Sequence, residues 1–247
     1  KDVLMKFISL IFVLLTVNVA LPESDLDRLI PPEIKNDALY NAIYNLAKSE
    51  NIKTILEIGS SGGAGSTDAF VKGAKENNNN PNIFCMELSK PRFAELQSCY
   101  KGSDFVKCYN VSSVPLEEFP TEKEVTDFFN NTRTNLDLYG IKTVIGWLKQ
   151  DIDYVKSVDV PNNGIELIKE ENGIGCFDMV LIDGSEFTGI AEYKLVYGAK
   201  FILLDDINAF KNHTNYNKLL NDSSYVLIEK NMDLRNGYAI FKCINVN

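Results

Sequence analysis

One histidine (His213), one tryptophan (Trp147) and five cysteines in 247 residues leave little material for the commonest metal and disulfide chemistries. The cysteines (Cys85, Cys99, Cys108, Cys176, Cys243) show no C-x-x-C spacing, and an odd number does not suit a disulfide framework. A lone histidine cannot complete a zinc site with them. Three of the thiols fall in apolar runs that read as strands, where sulfur packs as a small hydrophobe. Basic residues are also few: 25 Lys and Arg against 34 Asp and Glu give a net charge of −9. A polyanion would meet a repulsive field over most of such a surface, so nucleic acid is not an expected partner. No apolar run reaches the ~20 residues that span a bilayer. With 45% apolar and 24% charged residues the composition is that of a folded globular protein, which excludes collagen-like, wholly disordered and polytopic membrane classes. At roughly 150 residues per domain, the length suits one large α/β domain with additions.

Residues Met5 to Ala20 (MKFISLIFVLLTVNVA) set one lysine before an apolar run, followed by Pro22, Glu23 and Asp25. This is the outline of a signal peptide or short anchor, although Asn18 stands where a small residue is preferred for a cut after Ala20. The alternative is an apolar helix or strand lying against the domain. Residues 1–22 are therefore set apart from a folded unit at 23–247, and membrane contact is expected only through that segment if it is retained. Four N-x-S/T sequons (Asn110, Asn130, Asn212, Asn221) would matter only on a secretory route.

From Pro31 onward, helical and strand-like patterns alternate as in βαβ units with a mostly parallel sheet. The pattern predicts a helix from Pro31 to Ser49, a strand at Thr54 to Ile58, a helix over Ser66 to Lys75, and a strand at Ile83 to Glu87. A helix at Pro91 to Tyr100 and a strand at Phe105 to Val111 follow. An insert at 115–160 breaks the rhythm with helices at Glu122 to Asn131 and Ile141 to Ser157. Its Trp147, Tyr139 and Tyr154 would either roof a substrate pocket or fasten the insert to the core. Beyond it come a helix at Ile165 to Glu171, strands at Asp178 to Ile182 and Lys200 to Leu204, and a short helix near Tyr216 to Leu220. Strands at Tyr225 to Glu229 and Tyr238 to Ile244 close the chain, with Asn236-Gly237 as a hairpin turn.

Two motifs carry the chemistry. The first strand runs into E-I-G-S-S-G-G-A-G-S-T, Glu57 to Thr67. Glycines there let the backbone approach a ligand, and the helix N-terminus that follows offers free N–H groups. The dinucleotide fingerprint G-x-G-x-x-G fails, since Ser61 or Asp68 falls where a glycine belongs. A glutamate before the first glycine also suits a cationic amino group better than phosphate. Glu87 closes the second strand, where a carboxylate can accept two hydrogen bonds from a ribose diol. Together they point to a nucleoside bearing an amino acid, S-adenosylmethionine.

With L-I-D-G-S-E at Leu181 to Glu186 and L-L-D-D at Leu203 to Asp206, the chain resembles the class I S-adenosylmethionine-dependent methyltransferases, in particular their metal-dependent small-molecule and sugar O-methyltransferases. The resemblance spans about Leu29 to Ile244. It implies a three-layer, doubly wound, Rossmann-like α/β fold with a mostly parallel seven-stranded sheet and an antiparallel last strand. It also implies that the turn residues Glu57, Gly59, Ser60, Ser61 and Gly63 hold the methionine part of the cofactor, Glu87 the ribose, and Ser112 and Ser113 the adenine. Asp183, Asp205 and Asp206 follow neighbouring strands, and three unpaired carboxylates so close need a hard cation such as Mg²⁺. Matching positions in those relatives hold Mg²⁺, which orients the acceptor hydroxyl. The other use of such residues is to cap turns and helices. Where the relatives carry a Lys or His base, this sequence has Glu186, either a base, a ligand or, with Ser185, part of the N-cap and first turn of the next helix. His213, on a polar loop, is the other candidate base.

The expected activity is methyl transfer to an oxygen of a small molecule or sugar, in the cytoplasm where the cofactor is supplied, with a homo-oligomer left open. Two other readings stand beside it: an inactive member of the fold that binds the cofactor or a partner, and a nicotinamide-dependent enzyme on a related sheet.

Overall fold

The computed structural model describes residues 24–244, so the apolar segment at 1–22 lies outside the described residues. Seven strands form one sheet: β1 (Thr54–Ile58), β2 (Asn82–Glu87), β3 (Val106–Asn110), β4 (Met179–Ile182), β5 (Phe201–Asp205), β6 (Tyr225–Asn231) and β7 (Tyr238–Cys243). Their order is β3-β2-β1-β4-β5-β7-β6. The first five are parallel, and β7 runs antiparallel between β5 and β6. The predicted three-layer sheet with a reversed last strand is therefore present.

The strands are apolar on alternate sides and need cover on both faces. Ile55, Ile83, Leu181 and Leu203 pack with α1 (Ala38–Ser49), α2 (Ser66–Lys75) and α3 (Lys90–Cys99). The insert supplies α4 (Glu122–Asn131) and α5 (Ile141–Ser157). Leu56, Phe84, Ile182 and Leu204 pack on the other face with α6 (Gly164–Asn172), α7 (Gly189–Val196) and α8 (Phe210–Leu220). A third apolar cluster joins Val125, Leu136, Val144 and Leu148 of the insert to Phe187 and Phe210, which fastens the insert beside the carboxyl ends of β4 and β5. Chain order reverses between β1 and β4, so the crevice beyond their carboxyl ends is the topological switch point where ligands bind in such sheets.

Three expectations are corrected. The first helix starts at Ala38 rather than Pro31: Asn36 takes a left-handed φ of 56°, and the Asp37 side chain caps the helix by accepting the Tyr40 N–H. The helix after β5 spans Phe210–Leu220, so His213 is on a helix and not on a loop. Asn236-Gly237 does not make a two-residue hairpin, because β6 ends at Asn231 and left-handed φ values fall at Arg235 and Gly237. Asn236 is instead drawn inward, its amide donating to Asp206 at 3.0 Å. Among the described residues no helix is long and apolar enough to cross a membrane.

Candidate active site

A cleft of about 660 Å³ opens at the switch point. The turn after β1 forms one wall. Gly59 has φ +89°, and a Cβ there would sit 2.1 Å from the Asp183 carbonyl oxygen, so only glycine lets the turn pass this close to β4. Gly63, at φ +82°, lies against Leu96 and Tyr100 with no room for a side chain. Tyr100 locks this point by donating to the Gly63 carbonyl at 2.6 Å.

Glu57 is fully buried beneath the turn rather than among the residues lining the cleft. Its Oε2 accepts from the hydroxyls of Ser60 (2.7 Å) and Thr67 (2.6 Å), which ties the start of the turn to α2. Oε1 has no partner, and burial raises the carboxyl's pKa above its ordinary value. Glu87 does line the cleft. Its two oxygens accept the N–H groups of Ser61 (2.8 Å) and Ser89 (2.7 Å), and burial again opposes ionisation. Ser112 and Ser113, after β3, complete this end. Ser113 donates to the buried Glu192 at 2.6 Å. The predicted cofactor residues are thus drawn together, with Glu57 as a support under the others.

The insert roofs the cleft with Trp147, Gln150, Asp151 and Tyr154 of α5, while Tyr139 stacks edge-on against Trp147 at 4.8 Å and stays outside. The roof is pinned at both rims. At the β2 rim, Tyr154 and Ser89 both donate to Asp27. At the β4 rim, the Ser185 hydroxyl donates to Asp151.

Beyond β4 and β5, one carboxylate oxygen from each of Asp183, Asp205 and Asp206 lies within 4.8 Å of the others. The expectation that these anions are unpaired is corrected. Lys211, on the first turn of α8, places Nζ 2.9 Å from Asp183 and 2.7 Å from Asp206, and its side chain is only 7% exposed. Arg235 meets Asp205 at 3.3 Å. Burial works against the Lys211 charge, but Asp183, Asp206 and Glu186 outweigh it and hold the ammonium protonated well past its usual range. Asp206 is the firmly ionised partner: burial opposes its charge, yet Lys211 and Asn236 lower its pKa. Asp183 resists ionisation through burial and the neighbouring Asp205 and Asp206.

Glu186 lines the same end of the cleft. It caps α8, not the helix that follows it directly, accepting the Phe210 N–H at 2.7 Å and, more weakly, that of Lys211 at 3.4 Å. Burial pushes its carboxyl up to about 7. His213 does not reach the cleft. It lies edge-on to Phe128 at 5.6 Å in a separate surface groove. Lys211 is the residue that sequence reading missed; its signal is a lysine five positions after an acidic pair that needs a counter-charge.

No family model and no curated protein matches the sequence. Solved structures do. A provisionally assigned O-methyltransferase from Klebsiella pneumoniae aligns with a TM-score of 0.53 at 10% identity, over 91% of this chain and 92% of that one. An O-methyltransferase from Bacillus cereus in complex with S-adenosylhomocysteine aligns at 0.50 and 13% identity, over 91% and 93%. At such identities the likeness establishes a shared fold: the seven-stranded Rossmann-like sheet of these enzymes.

Proposed function

We propose that the protein is an S-adenosylmethionine-dependent methyltransferase acting on an oxygen of a small molecule. The observation that carries this reading is Glu87, a carboxylate in the cleft at the end of β2, one strand from a turn that only glycine can form. A neighbour of the same fold was solved with S-adenosylhomocysteine, which supports the assignment.

The donor set fits the cofactor. Glu87 keeps acceptor capacity on both oxygens for a ribose diol, and Ser112 and Ser113 flank the place for an adenine. Gly59, Ser60, Ser61 and Gly63 bring backbone close enough to hold the amino-acid part, with Glu57 bracing them from below. When bound, the cofactor supplies a methyl group activated by a sulfonium. The chain's own residues then have three tasks. The α5 roof excludes water and confines the acceptor over the turn, and that positioning supplies much of the rate. Glu186, with Oε2 unengaged and its pKa near 7, takes the proton of the acceptor hydroxyl. The ion cluster beyond β4 and β5 sets the field on that oxygen.

The Mg²⁺ that the acidic trio suggests does not fit these residues. Both oxygens of Asp206 are engaged, one by Lys211 and one by Asn236, and Lys211 also holds Asp183.

The test follows methyl release. The purified chain is incubated with methyl-labelled S-adenosylmethionine and panels of catechols, phenols and sugars. Labelled product from any panel supports the reading. S-adenosylhomocysteine binding with no product favours the inactive member, and NADH binding in its place overturns the proposal.

A further inference from the structure

Resting on the methyltransferase reading, we infer that Lys211 replaces the divalent metal, and that its ammonium both pairs with Asp183 and Asp206 and holds the acceptor oxygen in the cleft. Mg²⁺ would need oxygen ligands at about 2.0–2.1 Å in near-octahedral array. Nζ of Lys211 instead stands between Asp183 and Asp206 at ordinary hydrogen-bond distances, in the space such an ion would take. Arg235 supplies the second cation at Asp205. A divalent ion placed beside a buried ammonium a few ångströms away would meet strong repulsion.

An ammonium has three donors, and carboxylates engage two of those on Lys211. The third remains for an oxygen in the cleft that Lys211 lines. A fixed positive charge there favours an acceptor whose hydroxyl gives up its proton readily and attacks as an oxyanion, a phenol or an enol before an alcohol. The C–S bond breaks as the O–C bond forms, and the hydroxyl proton passes to Glu186.

Manganese provides a probe that needs no turnover. The full chain is titrated with Mn²⁺ alone, following the spectroscopic signal of the free ion, beside a parallel titration with S-adenosylhomocysteine. Wild type is expected to leave the Mn²⁺ signal unchanged, and Lys211→Met to bind Mn²⁺ at least about tenfold more tightly once the ammonium no longer repels it. In the same samples, chelation is expected to leave wild-type methyl transfer unaltered. Stoichiometric Mn²⁺ binding by wild type overturns the inference even if Lys211→Met fails to fold, and so does binding that is equal in the two proteins. Homocysteine-form cofactor binding with wild-type Mn²⁺ uptake would sink this inference alone, whereas its loss in wild type sinks the methyltransferase reading instead.

Discussion

The two ends of the cleft handle buried acids in opposite ways. At the β1–β2 end, Glu57 and Glu87 are met by hydroxyls and main-chain N–H groups, and among the described residues neither forms an ion pair, Arg92 acting on Glu87 only from a distance. At the β4–β5 end, Asp183, Asp205 and Asp206 are met by Lys211 and Arg235. Neutral donors leave an acid able to turn to a neutral polar ligand such as a ribose, since no counter-charge has to be broken. Ion pairs hold the aspartates in place and set an ammonium at the cleft wall, suited to an acceptor oxygen that carries negative charge before it is methylated. Strand-end carboxylates of one apparent kind therefore divide into a binding group and a charge-setting group, according to what the neighbouring turns, helices and the β6–β7 connection supply.

Removing the cation should break this contrast most severely. Lys211→Met leaves the part-buried Asp183 and Asp206 without their counter-charge, Asp206 keeping only its hydrogen bond from Asn236, and thermal unfolding is expected to show a loss of about 3 kcal/mol. A loss under about 1 kcal/mol would mean the pair contributes nothing to the fold. Next comes the residue where the two ends touch. Gly59→Ala drives a Cβ into the Asp183 carbonyl at a left-handed φ, for an expected cost of about 2–4 kcal/mol and loss of cofactor binding. Unchanged melting would show that the turn can shift away.

The smallest effect is at an ion cluster in contact with solvent. Burial opposes ionisation of Asp68, but hydrogen bonds from Lys35, Lys72 and Tyr40 outweigh it and hold the carboxyl at about 2. A folded pKa below the unfolded one stabilises above the unfolded value and is lost as pH falls through the folded one, here between about 4 and 2. Solvent screening limits the effect, so Asp68→Asn should cost about 0.5–1 kcal/mol at neutral pH and flatten the acid limb of the stability curve. An unaltered acid limb would contradict the assignment.

Much of the sheet is legible in the sequence because its strands are apolar runs ended by glycine, serine or aspartate. The period also marks α2, α4 and α5 within a residue or so. The first helix is less legible: the proline pair reads as its start, but the side-chain cap at Asp37 sets it at Ala38. In the site, glycine spacing and Glu87 are local signals and were readable. Lys211 leaves only a weak local signal, its spacing of 5 residues from Asp206, because Asp183 lies 28 residues away and joins them only after β4, β5 and α8 pack. The same packing carries His213 to the outer side of α8, a placement that polar composition alone does not reveal.

The most direct trial of the central claim is calorimetric titration of S-adenosylhomocysteine into the wild-type chain and into Glu87→Ala. One saturable site is expected, weakened by about 1.5–3 kcal/mol, roughly ten- to 150-fold in Kd, when the carboxylate is lost. Equal affinity in the two proteins, or no binding to wild type at all, would contradict it.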